Sequence, residues 1–201
     1  MEIFLAALIG YVLGSVPFAL VIGKLFYRTD IRTAGSKNLG GGNAGRVLGS
    51  RAGLAVMTLD VLKVTLAIFI TAQFDQHEIT LVTAGVAAAI GHCYPVFARF
   101  KGGKAVATMY GFLFGMAVFT SYDLWIFFVP LITFMVVLYL WKIISLASML
   151  SAVVSTIFLY VATGSWTMVA ASALFTLLII VRHRSNIRKM INHEENKISW
   201  M

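Results

Sequence analysis

The sequence predicts an all-α integral membrane protein: a compact bundle of seven transmembrane helices, with the N-terminus outside and the C-terminus cytoplasmic. Three observations carry that expectation. Hydrophobic residues fill 60% and charged residues only 12% of the 201 positions, a balance too apolar for a soluble domain. The apolar residues gather into runs near the length of about 17–25 residues that a bilayer-crossing helix needs. If the chain crosses seven times, every Lys and Arg except Lys63 falls on one face, the sorting that membrane insertion imposes on cytoplasmic loops.

The first apolar segment covers residues 3–25, with Pro17 as an expected kink. Met1-Glu2 precedes it without a basic stretch and no small-residue cleavage site follows, so it is expected to stay in the mature chain. The next segments are 54–74, 79–97, 105–120, 124–141, 143–163 and 166–181. They leave room for one domain over residues 1–201 and none for a soluble module. The formal charge of +8 lies in short loops between apolar runs, which points to the lipid bilayer as partner and away from nucleic acid. The single cysteine, Cys93, excludes an internal disulfide and reads as a small buried apolar residue. The four histidines are scattered, so no metal site is expected.

The basic loops carry the chemistry. Between the first two apolar segments lies Gly35-Ser36-Lys37-Asn38-Leu39-Gly40-Gly41-Gly42-Asn43-Ala44-Gly45-Arg46. Its glycines let successive amides converge on a phosphate. Ser36, Asn38 and Asn43 add neutral hydrogen-bonding groups, and Lys37 and Arg46 add charge. A second segment runs Gly91-His92-Cys93-Tyr94-Pro95 and on to Phe100-Lys101-Gly102-Gly103-Lys104. Gly102 and Gly103 precede a helix start, so their amides suit an anion with Lys104 as counter-charge. Taken alone this segment reads as well as a basic turn, and His92 as well as a satisfied polar residue at a helix end. The third basic segment is Arg182-His183-Arg184-Ser185-Asn186, where His183 and Asn186 stand three apart on one helical face.

Other polar residues have plainer expectations. Asp60 and Lys63 share a helical face and are expected to pair, since a lone charge in hydrocarbon costs roughly 2.5–3.5 kcal/mol. Ser145 and Ser148 open the sixth segment, one of them as its cap or as a hydroxyl for substrate. Glu194 and Glu195 read as solvated tail charges.

The order and spacing of these three motifs between seven apolar segments resemble the bacterial acyl-phosphate:glycerol-3-phosphate acyltransferase (PlsY) family along nearly the whole chain. The resemblance implies acyl transfer from acyl phosphate to the 1-hydroxyl of glycerol 3-phosphate, the first committed step of phospholipid synthesis, without a cofactor. It implies a multi-pass protein of the bacterial cell membrane with its active site on the cytoplasmic face. By the same resemblance Ser36, Asn38, Asn43 and the Gly40, Gly41 and Gly42 backbone hold the acyl phosphate. Arg46, Lys104, Ser145, His183 and Asn186 hold glycerol 3-phosphate, and His92, Gly102 and Gly103 complete the motifs. Against the family pattern, Lys37 and Ala105 stand where glycine is usual, Gly42 where threonine is, and Ser185 where glutamate is. The rival readings are a transporter for an anionic phosphorylated metabolite and a non-catalytic relative.

Overall fold

The computed structural model describes residues 1–198. Among them are ten α-helices and no strand: α1 (Glu2–Gly14), α2 (Phe18–Tyr27), α3 (Gly41–Leu48), α4 (Ser50–Ala72), α5 (Glu78–Cys93), α6 (Val106–Phe119), α7 (Trp125–Trp141), α8 (Ile144–Thr163), α9 (Trp166–Arg182) and α10 (Arg184–Ile191). Each expected apolar segment is helical. The first divides at Ser15–Pro17 into α1 and α2, with Pro17 at the α2 N-cap, where its missing N–H costs nothing. By length and composition four stretches among the described residues can cross a membrane: Glu2–Tyr27, Ser50–Ala72, Glu78–Ala98 and Ile144–Thr163. A fifth is α9 with α10, bent by 60°, while α6 and α7 are shorter apolar helices.

Small residues set the helix spacing, as expected where lipid supplies no hydrophobic drive for association. Gly10 and Gly14 of α1 lie directly on the Ala84 and Ala88 carbonyls of α5, where a methyl group would sit 2.2 and 2.0 Å from oxygen. Hydroxyls stitch α8 to α9: Thr156 Oγ1 lies 3.0 Å from both Ser172 Oγ and Thr176 Oγ1. The main core joins α4, α5, α6, α8 and α9 around Phe112, Phe175, Ile68 and Met109, while Phe4, Leu25, Phe26, Tyr139 and Val161 stay exposed on the outside. A second apolar cluster includes Ile31, Leu39, Ala44, Val56 and Ala98, so the loop before α3 is pinned by two buried side chains of its own.

The end of the bundle away from the basic loops is less plain than its charge count suggests. There Glu78 accepts hydrogen bonds from Tyr122 and Ser165, and Asp75 accepts from Thr80 and His77. These contacts tie the α4–α5 turn to the starts of α7 and α9.

Candidate active site

The glycine run expected to be loop is the first turn of α3, with Gly40 as N-cap. Its leading amides have no intrahelical acceptor, and the helix dipole adds positive potential there. The preceding segment turns twice through left-handed backbone, at Gly35 (φ 58) and Lys37 (φ 58). Asn43 organises it from below. Its Oδ1 accepts from the Ser36 amide at 2.7 Å, and its Nδ2 donates to the Asn38 and Ala34 carbonyls at 3.1 and 3.2 Å. Asn43 is 4% exposed. The side chain expected to face a phosphate is thus spent on shaping the loop, whereas Ser36, Gly42 and Arg46 are exposed.

Left-handed backbone explains why glycine suits position 37: a side chain there costs about 1–2 kcal/mol. Lys37→Gly is expected to stabilise the protein by about 1 kcal/mol, read as a higher thermal midpoint in detergent. Ala105 (φ 63), the N-cap of α6, carries the same strain. At Gly42 an added Cβ meets nothing within 4 Å, so a side chain can start there without a clash.

The second motif is packed against the end of α5. The Gly103 amide donates to the His92 carbonyl at 3.0 Å. A Cβ on Gly103 would lie 1.9 Å from His92 Nε2, so the imidazole edge rests on this glycine. The two glycine carbonyls are gripped from the other motifs. Asn38 Nδ2 donates to the Gly102 carbonyl at 3.3 Å, Arg182 Nη2 to the same oxygen at 3.0 Å, and Arg182 Nε to the Gly103 carbonyl at 2.9 Å. The Arg182 guanidinium also lies over the Tyr94 ring, 5.3 Å from its centre. Arg182 was not singled out from sequence, where a cation after an apolar run reads as an interfacial anchor.

Lys104 follows directly and donates to Asn186 Oδ1. Asn186 Nδ2 in turn donates to Glu195 Oε1 at 2.7 Å, and Ser145 Oγ donates to the same carboxylate oxygen at 2.9 Å. Glu195, expected to be a solvated tail charge, is instead the hub that fixes the orientation of Asn186. Neither serine caps α8: Ser145 faces this network, and Ser148 bonds back to the Ile144 carbonyl at 2.8 Å. Burial lowers the proton affinity of Lys104, the Glu195 charge offsets this, and Arg182, Arg46 and Lys189 lower it further. Four cations from α3, α9, α10 and the α6 entry therefore crowd one spot.

His183, at the C-cap of α9 and 3% exposed, donates from Nδ1 to the Ile179 carbonyl at 2.8 Å. That contact puts its proton on Nδ1 and leaves Nε2 as an acceptor. Burial, joined by the Lys104 charge, pushes its pKa down to about 4. A histidine held neutral in the fold stabilises fully above the ordinary value of 6.5, and that stability is lost as pH falls from 6.5 towards about 4. The shift corresponds to roughly 3 kcal/mol at most. His183→Gln is expected to flatten the acid decline of the thermal midpoint between pH about 4 and 7.

The expected Asp60–Lys63 pair is present at 2.7 Å, wholly buried, and has a third member. Lys63 Nζ also lies 3.0 Å from His92 Nδ1 and donates to the Val16 carbonyl at 3.0 Å, in the break between α1 and α2. The three basic segments, the buried triad and the tail thus converge at one end of the bundle. A hollow bounded by Asp123, Leu124, Trp125, Phe128 and Ile132 lies near the other end and holds none of these residues.

The fold and this cluster define a polytopic helical membrane protein with a basic, glycine-rich mouth. The chain belongs to the glycerol-3-phosphate acyltransferase family, whose model matches residues 4–193. It is 43% identical to the glycerol-3-phosphate acyltransferase of Listeria monocytogenes over 203 residues, covering 100% of this chain and 98% of that protein. It is 41% identical to that of Bacillus subtilis over 202 residues, covering 100% of both. Its structure resembles the crystal structure of PlsY, an integral membrane glycerol 3-phosphate acyltransferase, in the glycerol 3-phosphate form: TM-score 0.90 at 32% identity, covering 99% of this chain and 96% of that one. The lysophosphatidic acid form matches with TM-score 0.88 at 30% identity over the same shares.

Proposed function

We propose that the protein transfers a fatty acyl group from acyl phosphate to the 1-hydroxyl of glycerol 3-phosphate, giving lysophosphatidate and inorganic phosphate at the cytoplasmic face. The observation that carries this reading is the convergence of three basic segments, the first two glycine-rich, through the Asn38–Gly102, Arg182–Gly103 and Lys104–Asn186 hydrogen bonds. Two phosphorylated substrates need two anion subsites. Ser36, Asn38 and the Gly40 to Gly42 amides form the one for acyl phosphate, shaped by Asn43. Arg46, Lys104, Ser145, His183 and Asn186 form the one for glycerol 3-phosphate. A small apolar hollow of about 60 Å³ lies between α5 and α9, lined by Val86, Ala89, Ile90, Leu174, Phe175 and Leu178.

In the reaction the glycerol hydroxyl oxygen attacks the acyl carbon, the bond from that carbon to the phosphate oxygen breaks, and phosphate leaves. The protein aligns the two substrates and neutralises charge as the carbonyl is attacked. The hydroxyl proton needs an acceptor. A phosphate monoester, with its second pKa near about 6, is the stronger base beside His183 at about 4. The phosphate therefore takes the proton of the attacking hydroxyl, and His183 Nε2, an acceptor, is left to orient the substrate through the neighbouring 2-hydroxyl.

Purified protein in proteoliposomes, given radiolabelled glycerol 3-phosphate and in turn acyl phosphate, acyl-CoA or acylated carrier protein, tests the donor. Labelled lysophosphatidate is expected with acyl phosphate alone. Label trapped in the vesicles without acylation would instead favour the transporter reading. Gly42→Thr and Lys37→Gly are expected to change the KM for acyl phosphate more than that for glycerol 3-phosphate; the reverse pattern would reassign the loop.

A further inference from the structure

We propose that Lys63 is a positioning residue for acyl transfer, holding His92 as its neutral Nε2–H tautomer against the Gly102–Gly103 loop. The inference rests on the reading that this loop belongs to the catalytic mouth. Lys63 has three N–H donors and three acceptors around it: Asp60 Oδ1 at 2.7 Å, the Val16 carbonyl at 3.0 Å and His92 Nδ1 at 3.0 Å. An ammonium group only donates, so Nδ1 must be an acceptor and the ring proton must sit on Nε2. That nitrogen is the ring atom which lies against Gly103. The chain of contacts therefore runs from α4, through the end of α5, to the residue before Lys104.

A buried ion pair is a poor device for stability alone, because two apolar side chains of similar volume serve a bundle as well. What apolar side chains cannot do is decide which ring nitrogen carries a proton. Asp60 holds the Lys63 ammonium in place, the Val16 carbonyl takes a donor at the α1–α2 break, and the remaining donor sets the histidine. Without Lys63 the alternative is already at hand: Asp60 Oδ1 lies 3.5 Å from His92 Nδ1. A protonated Nδ1 would then turn to the aspartate, as in the outer-shell pairs that fix histidine tautomers elsewhere.

Nitrogen-15 spectra of histidine-labelled protein in detergent test this directly. In the wild type, His92 is expected to show an unprotonated Nδ1 and a protonated Nε2; in Lys63→Met, Nδ1 becomes protonated. In the acyl-transfer assay Lys63→Met is expected to lose about 10–100-fold in kcat/KM, the range seen when outer-shell partners are removed. The double variant D60L/K63M leaves no unpaired charge, so it keeps its thermal midpoint yet shows the same loss. In a His92→Ala background, Lys63→Met adds little further loss, since it acts through the histidine. An unprotonated Nδ1 in Lys63→Met, wild-type turnover in folded D60L/K63M, or undiminished losses in the His92→Ala background would each overturn the proposal. The tautomer is read without substrate, so a protein that acylates glycerol 3-phosphate from no donor refutes the proposed function and leaves the spectrum to decide this one.

Discussion

Replacing Lys104 by methionine is expected to lower kcat/KM for glycerol 3-phosphate about 30–1,000-fold, a loss of about 2–4 kcal/mol. The reason is placement. Lys104 is half-buried, bonded to Asn186, and surrounded by Arg182, Arg46, Lys189 and His183, with the Glu195 carboxylate opposing that excess of positive charge. An incoming phosphate relieves it, so deleting the charge removes a stabilisation felt by substrate more than by the fold. Steady-state kinetics with unchanged helical circular dichroism check the point. Lys104→Arg is expected to recover part of the loss, because the charge is kept while the planar fork alters its aim. A Lys104→Met enzyme with the KM and kcat of the wild type would remove Lys104 from the site.

Gly102→Ala is expected to cost about 100-fold in the same assay, roughly 3 kcal/mol, without touching a substrate. A Cβ at this position would sit 2.0 Å from the His92 carbonyl oxygen, 2.7 Å from that of Cys93 and 2.5 Å from Pro95 Cδ. Two of these are backbone atoms in and beside the last turn of α5 and cannot swing aside. The loop must move instead, and with it the carbonyls held by Arg182 and Asn38. Gly45→Ala is the control, since it lies outside both proposed subsites and its Cβ meets only the Gly53 Cα, at an ordinary 3.6 Å. Activities of the two variants within about threefold of each other would mean that the tight seat of Gly102 plays no part in transfer.

Hydropathy delimits the apolar helices well: each expected segment ends within four residues of the observed helix, as at Trp166–Arg182 against 166–181. That works because a helix in lipid must satisfy its own backbone, so length and composition carry most of the information. The grouping of Lys104, His183, Ser145 and Asn186 is what the family resemblance implies, and the structure brings these residues to one end of the bundle. Other features were hidden for definable reasons. The run Gly40-Gly41-Gly42 has poor helix propensity, and close packing of Gly41 and Gly45 against Gly53 of α4 holds α3 there. Asn43 looked like a ligand group because sequence shows a side chain's chemistry and not which neighbours consume it. Lys63 and His92 are 29 residues apart on different helices, a separation no periodicity relates. Glu195 was obscured by its tail, where charge usually means solvation. The nearest available signal was its position just beyond a short helix of strongly two-sided pattern, α10, which returns the chain towards Ser145.

The brevity of α6 has a consequence for the setting in which this chemistry occurs. With 14 residues it rises about 21 Å, while α4, packed beside it through Gly111 and Gly115, has 23 residues and rises about 35 Å. A hydrocarbon layer of about 30 Å is matched by the longer helix and not by the shorter one. At one end of α6 or at both, the chain is therefore drawn below the plane where lipid headgroups begin, or the bilayer thins locally to meet it. If that end is the α6 entry, which leads on from Lys104, glycerol 3-phosphate has to reach the depth at which acyl chains start. Membrane thickness thus becomes a physical variable of the enzyme, as much a part of its working environment as pH or salt.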